Sequence, residues 1–261
     1  MVRHLRRAPY LAPTDEGKLL MIELRHVTKT YAGCDAKAVD DLSWTVADGR
    51  ITGFFGPNGA GKSTTLKMIC GINSIDEGSI AINGHDIASD PVEAKRQFGF
   101  VPDNPDRFLR LTGIEYLNFM ADIYGTPVEK RESFIKDFGE RFEIYDALNK
   151  RIVEYSHGMR QKVHVMAALI HEPSVWILDE PMLGLDPKGA HEVKQAMREH
   201  AAKGNSVLFS THVLETADKL CDAVCIINHG HKLFEGTLEE LKSQHPDTSL
   251  EDIFLEMTAH A

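Results

Sequence analysis

The segment Gly56-Pro57-Asn58-Gly59-Ala60-Gly61-Lys62-Ser63 constrains this chain more than any other. It follows the apolar run Ile51-Thr52-Gly53-Phe54-Phe55 and precedes the helix-compatible residues 64–70, so a G-x-x-x-x-G-K-S pattern lies in the strand, loop and helix setting it requires. Its glycines let successive backbone N–H groups curl around a phosphate unobstructed, while the helix that follows aims its positive end at the same place. The spacing predicts that residues Gly56, Pro57, Asn58, Gly59, Ala60, Gly61, Lys62, Ser63 and Thr64 bind a nucleotide. Lys62 is then the group that neutralises the β- and γ-phosphates, and Ser63 a ligand of Mg²⁺. An ordinary glycine-rich turn is the bland alternative, and the flanking strand and helix outweigh it.

A second motif lies downstream. Val175-Trp176-Ile177-Leu178 reads as a buried strand that ends in Asp179 and Glu180, at the end where open α/β sheets place their ligands. Asp179 is expected to hold Mg²⁺ through its shell, with Glu180 directed at the water that attacks the γ-phosphate. Alone, such a pair is as often an acidic loop cap. Beside a phosphate loop, it reads as the hydrolytic centre.

The intervening sequence sets the architecture. Residues 22–30, then Leu42, Trp44 and Val46 alternating with polar neighbours, read as strands, and residues 78–87 as a hairpin turned at Asn83-Gly84. Residues 105–153 read as a helical insertion: Thr112 and Glu115 have capping-box spacing, and Thr126, Pro127 and Glu129 suggest a second capped helix. Beyond it, a helix from about His157, strand 175–178, a helix capped by Asp186 before Pro187, strand 207–209, then helix and strand give the alternation of a parallel sheet with crossover helices.

Composition excludes several functions. With 39 acidic and 29 basic residues the net charge is −10, the wrong sign for an extended grip on nucleic acid. No apolar run reaches membrane-spanning length, since even residues 163–170 contain His164. Four cysteines in 261 residues are too sparse for a disulfide framework, which suits a reducing compartment. Cys221, Cys225, His229 and His231 do not read as a zinc site. At about 3.3 Å per strand residue, His229 lies roughly 13 Å from Cys225, so the two cysteines read as buried thiols. Residues 1–20 stand apart, with Arg3, Arg6 and Arg7 ahead of any acid. A flexible tail, an initiator at Met21 and an organelle leader all remain open for them.

Together these motifs resemble the nucleotide-binding subunit of ATP-binding cassette (ABC) transporters, over residues 22 to about 257. The resemblance implies an α/β fold: a P-loop NTPase (RecA-like) parallel-sheet core with an N-terminal antiparallel β subdomain and an inserted α-helical subdomain. Residues 21–261 would form that domain, with the insertion at about 105–157 and a C-terminal strand hairpin and helices at about 223–261.

Further positions match the family in order. Tyr155-Ser156-His157-Gly158-Met159 is similar to its signature segment, which binds the γ-phosphate held by the opposite subunit; His157 departs from the usual glycine and Met159 from glutamine. Ser210-Thr211-His212 resembles the switch histidine, Tyr31 the ring that stacks on adenine, and Leu183-Gly184-Leu185-Asp186 the loop between subunits. Each has a plainer reading as well: a helix cap for Ser156, a structural histidine for His212, a surface tyrosine for Tyr31, and a helix start for Asp186. Asp103 stands where the family commonly has a glutamine touching Mg²⁺ and the attacking water; being shorter and charged, it reaches a metal only through water.

The implied activity is ATP hydrolysis with Glu180, His212 and Lys62 as catalytic residues and ATP and Mg²⁺ as ligands. A second copy of the chain would pack head to tail, and a separate integral-membrane permease would dock on the helical insertion beside Asp103. The subunit would sit in the cytoplasm, peripheral on the inner face of the membrane, with no nucleic acid partner. Residues 111–117, 155–162 and 250–254 resemble exporters of the ABC-2 type, which favours export over import. A soluble ABC-type ATPase acting on ribosomes, DNA or assembly machinery is the alternative, but such relatives usually carry paired cassettes, coiled-coil insertions or basic faces. Glu180 disfavours a nucleotide-binding regulator without turnover.

Overall fold

The computed structural model describes residues 20–246 and 248–259. The extension at residues 1–20, and with it the choice among its three readings, lies outside them apart from Leu20.

Strand Ile51–Phe55 (β3) is buried along its whole length, as its apolar composition requires. It runs parallel to Ser206–Ser210 (β8) on one side and to Ala223–Asn228 (β9) on the other. Val175–Asp179 (β7) pairs with β8, and Phe98–Val101 (β6) with β7, again in parallel. His231–Thr237 (β10) turns back antiparallel on β9, so the sheet order is β10-β9-β3-β8-β7-β6. Strands buried on both faces read as unbroken apolar runs, and alternate residues then serve two cores. Phe55, Trp176, Leu178, Val207, Phe209, Val224 and Ile226 enter one core with the insertion and crossover helices. Phe54, Val175, Ile177, Leu208, Cys225 and Ile227 enter the other, with the helix Lys62–Ile69 (α1) and a second sheet.

That second sheet is antiparallel, in the order β2-β1-β4-β5, from Leu20–Thr30 (β1), Lys37–Ala47 (β2), Glu77–Ile82 (β4) and His85–Asp86 (β5). The alternation expected of β2 is present: Leu42, Trp44 and Val46 are buried. Trp44 stacks on Phe54 with ring centroids 4.7 Å apart, which joins the two sheets. Asn83 and Gly84 both take left-handed φ, +48° and +80°, as a two-residue hairpin turn demands. Cys70, Cys221 and Cys225 are buried thiols and Cys34 is exposed.

The helical region contains Gly113–Tyr124 (α3) and Val128–Arg141 (α4), after a short helix Pro91–Arg96 (α2) ahead of β6. Thr112 and Glu115 form the expected capping box on α3. The second expected cap is corrected: α4 starts at Val128, and the buried Thr126 hydroxyl donates to the Ile170 carbonyl at 3.4 Å. Burial gave that hydroxyl a tertiary partner, and Pro127 became the cap. Two crossover helices complete the core, His157–Leu169 (α5) before β7 and Pro187–Ala202 (α6) after it. Asp186 is the N-cap residue of α6 as expected, and its carboxylate also pairs with Lys162 Nζ at 2.9 Å.

Gly99 in β6 shows how closely α5 approaches the sheet. A Cβ there would collide with the Ala168 carbonyl oxygen and lie 3.2 Å from Ala168 Cα. Gly99→Ala is therefore expected to destabilise the fold by about 1–3 kcal/mol, the usual range for overpacking. A lowered urea midpoint with an unchanged slope would report it; an unshifted midpoint would contradict it.

Candidate active site

The carboxyl ends of β3, β7 and β8 lie side by side, and each of the main candidate residues leaves the sheet there. After β3 the loop folds tightly onto its neighbours. A Cβ on Gly56 would fall 2.5 Å from the Ile227 carbonyl oxygen, and Gly61, at φ +105°, would drive a side chain into the Ala38 carbonyl. Neither position admits another residue without displacing backbone. Gly61 is the N-cap of α1, so the first N–H groups of that helix face the loop they follow. Lys62 is largely buried, and its Nζ donates to the carbonyls of Gly56 at 2.7 Å and Pro57 at 3.1 Å. Burial holds its ammonium below the usual lysine range, against the opposing pull of Glu180 and Asp179.

Asp179 is fully buried at the end of β7. Ser210, which closes β8, donates its hydroxyl to Asp179 Oδ1 at 2.6 Å and accepts the Glu180 N–H at 3.0 Å. One side chain therefore fixes both acids. Glu180 itself has φ +49°, a left-handed conformation uncommon for a residue with a side chain. Its Oε2 lies 3.0 Å from His212 Nδ1, so the expected base and the expected switch histidine meet within one chain.

The buried Asp179 Oδ2 has no hydrogen-bond partner among the described residues. Burial pushes the carboxyl up, the Ser210 and Ser63 hydroxyls oppose that, and the charge of Asp103 adds to it. An orphaned carboxylate oxygen beside a serine hydroxyl is a hard, all-oxygen donor set, which suits Mg²⁺. Asp103 stands exposed just past β6, whose register sets Val101 beside Leu178, so it emerges at the same end of the sheet as the two acids.

Tyr31, 42% exposed, hydrogen-bonds through its hydroxyl to Thr64 Oγ1 at 3.1 Å and Asn73 Nδ2 at 2.9 Å. The ring is thereby anchored beside the phosphate loop. Ser156 caps α5 by accepting the Met159 N–H at 3.2 Å, and Ser156 and His157 are exposed while Gly158 and Met159 are partly buried. Among the described residues no hydrogen bond joins this turn to the phosphate loop. It touches the loop after Glu180 instead: a Cβ on Gly158 would lie 2.9 Å from the Gly184 carbonyl oxygen.

The role of Ser210 escapes sequence reasoning. The only hint is a hydroxyl residue at the end of a strand next to a strand ending in acids, and which strands are neighbours is a matter of topology.

Residues 39–183, more than half of the chain, match the ABC transporter family. EcsA of Bacillus subtilis (strain 168), an ABC-type transporter ATP-binding protein, is 39% identical over 220 residues, covering 84% of this chain and 89% of the relative. The Nod factor export ATP-binding protein I of Burkholderia lata is 34% identical over 215 residues, covering 82% of this chain and 70% of the relative. A solved structure of the ATP-binding subunit of an ABC transporter superposes with a TM-score of 0.86 at 34% identity, covering 91% of this chain and 99% of the other.

Proposed function

Because this chain belongs to the ABC transporter family, as an ATP-binding subunit that hydrolyses ATP, we propose that it powers a membrane exporter by closing and reopening around nucleotide shared between two copies. The observation that carries this reading is the pairing of Glu180 with His212 at 3.0 Å, next to the Lys62 loop and the orphaned Asp179 oxygen. Lys62 and the loop amides hold the β- and γ-phosphates. Glu180 orients the attacking water and accepts its proton, with His212 Nδ1 hydrogen-bonded to the carboxylate so that Nε2 is the ring nitrogen left for the γ-phosphate. Ser63 and Asp179 would hold Mg²⁺, with Asp103 joining through water; the ion supplies charge neutralisation of the phosphate oxygens when bound. Tyr31 offers its exposed face to adenine.

The signature turn, residues 156–159, would meet the γ-phosphate on the second copy, where Ser156 and the free N–H groups of α5 supply donors. ATP then holds two protomers face to face, and loss of the γ-phosphate releases them, the two forms differing in affinity for nucleotide.

No helix among the described residues is long and apolar enough to cross a membrane. On the family resemblance, the transport path belongs to an integral-membrane permease. Its docking site is the helical insertion beside Asp103, where Phe108 and Phe119 are each 44% exposed. Export follows from the resemblance of residues 111–117, 155–162 and 250–254, and the Nod factor export relative supports it. The chain is accordingly placed on the cytoplasmic face of the membrane.

Purification of the tagged full chain from detergent-solubilised membranes is expected to recover an integral-membrane protein in stable complex. Recovery of ribosomes or DNA in its place would favour the soluble alternative.

A further inference from the structure

The phosphate loop leaves β3 between two neighbouring strands, and on the β9 side a hairpin turn holds it. Strand β9 ends at Asn228 and β10 begins at His231, paired across two residues, His229 and Gly230, with left-handed φ of +44° and +80°. Gly230 N–H donates to the Ala60 carbonyl of the phosphate loop at 3.0 Å, and the Gly230 carbonyl accepts the Asp40 N–H of β2 at 3.0 Å. Gly230 is buried in this seat: an added Cβ would lie 3.0 Å from the Ala38 carbonyl oxygen and from Val39 Cα.

That contact decides which way one peptide of the loop faces. In a planar trans peptide the carbonyl and the N–H point in opposite directions, so a carbonyl fixed on the turn sends its peptide's N–H to the other side. The peptide in question joins Ala60 to Gly61. Ala60 N–H is spent inside the loop, on the Pro57 carbonyl at 3.1 Å, whereas Gly61 N–H has no partner among the described residues. An amide held in that attitude at the start of α1 is a donor for a phosphate oxygen.

The turn is itself anchored. Asn228 is the polar end of an otherwise apolar strand, 3% exposed, and its Nδ2 donates to the Thr258 carbonyl at 3.1 Å. Thr258 lies near the end of the C-terminal helix Leu250–Ala259, whose Leu250 and Ile253 are buried in the core beneath the insertion and crossover helices. We propose that Asn228 is a positioning residue for nucleotide binding: by tying the turn to the C-terminal helix it keeps Gly230 on the Ala60 carbonyl, and so keeps Gly61 N–H aimed at the phosphates. The inference rests on the reading that the loop amides hold those phosphates. The hydrolytic groups stand apart from the turn, since Glu180 takes its support from Ser210 of β8 and pairs with His212.

The test is Asn228→Ala in the purified full chain. Steady-state hydrolysis gives the KM for ATP and kcat, calorimetric titration gives the Kd for ADP, and thermal melting without nucleotide is the control for folding. ADP serves because it keeps the α- and β-phosphates that a loop of this kind cradles. Misaligning one hydrogen bond to a charged phosphate is expected to raise the KM for ATP and the Kd for ADP together by about 10-fold, with kcat at saturating ATP kept. Gly230→Ala, pressed off Ala38 by its Cβ, is expected to show the same split, and it decides the matter if Asn228→Ala fails to fold. Wild-type affinity for both nucleotides in the folded variant overturns the proposal. So does a lower kcat or melting midpoint with both affinities kept, which would make Asn228 a structural tie alone. Failure of the underlying reading is seen separately: if Lys62→Met binds ADP as tightly as the wild type, the phosphates do not sit in the loop.

Discussion

Glu180→Gln will slow ATP hydrolysis about 10²- to 10⁴-fold, the usual worth of a positioned base, while ATP binding persists and an ATP-held dimer accumulates. The reason lies in what the substitution leaves in place. The Glu180 backbone N–H still reaches Ser210 Oγ, and a glutamine carbonyl still accepts from His212 Nδ1 as the carboxylate oxygen does at 3.0 Å. The side-chain volume and the φ +49° backbone are likewise unchanged. The carboxylate's charge and basicity are lost while its position is kept, so the deficit of roughly 3–5 kcal/mol in the barrier is expected in the chemical step. Single-turnover hydrolysis with radiolabelled ATP measures it, and size-exclusion chromatography with ATP reports the dimer. Undiminished turnover would remove Glu180 from the mechanism and leave His212 or solvent as the water's partner.

The parts of this protein that sequence made legible are those where local chemistry decides. Residues 175–178 and 207–209 are legible as strands because a parallel strand buried on both faces must be a nearly unbroken apolar run. The phosphate loop was legible because Gly56 and Gly61 meet the carbonyls of Ile227 and Ala38 so closely that nothing larger fits. Thr126 was misjudged because its spacing fits a cap, whereas a buried hydroxyl near the Ile170 carbonyl has a tertiary alternative that no local pattern reveals. Asp186 is the N-cap residue of α6 as expected, and what no local pattern reveals is that its carboxylate also pairs with Lys162.

At the site the division is similar. Asp179, Glu180 and His212 could be named from strand ends, but their joint dependence on Ser210 could not. That dependence exists because β7 and β8 are neighbours in register, Asp179 beside Ser210, and the chain between them contains the whole of α6. The seat of the exposed His157 ring on Gly184, where an added Cβ would lie 2.8 Å from His157 Nε2, is a long-range contact of the same kind. Sequence flagged His157 as a departure from a pattern; packing turned the departure into a contact.

Lys62→Met separates the phosphate's grip from the fold's own stability. In the wild type the ammonium is buried, held below its ordinary range by desolvation, and satisfied by the Gly56 and Pro57 carbonyls. Methionine keeps the apolar stem and removes the charge. Two carbonyls lose a donor, which is destabilising, and a desolvated cation disappears, which is stabilising. These oppose each other, so the nucleotide-free midpoint is expected to move by only a few degrees. With nucleotide present no such compensation exists. A phosphate drawn into the loop would lack its buried counter-charge, a loss of about 2–5 kcal/mol for a desolvated charged pair, or roughly 30- to 5,000-fold in ATP affinity. Thermal shift with and without ATP measures both at once: a near-normal midpoint without nucleotide and no rise with it. If ATP still raised the midpoint by the wild-type amount, the triphosphate would have to sit away from Lys62, and the glycine-rich loop would be only a turn.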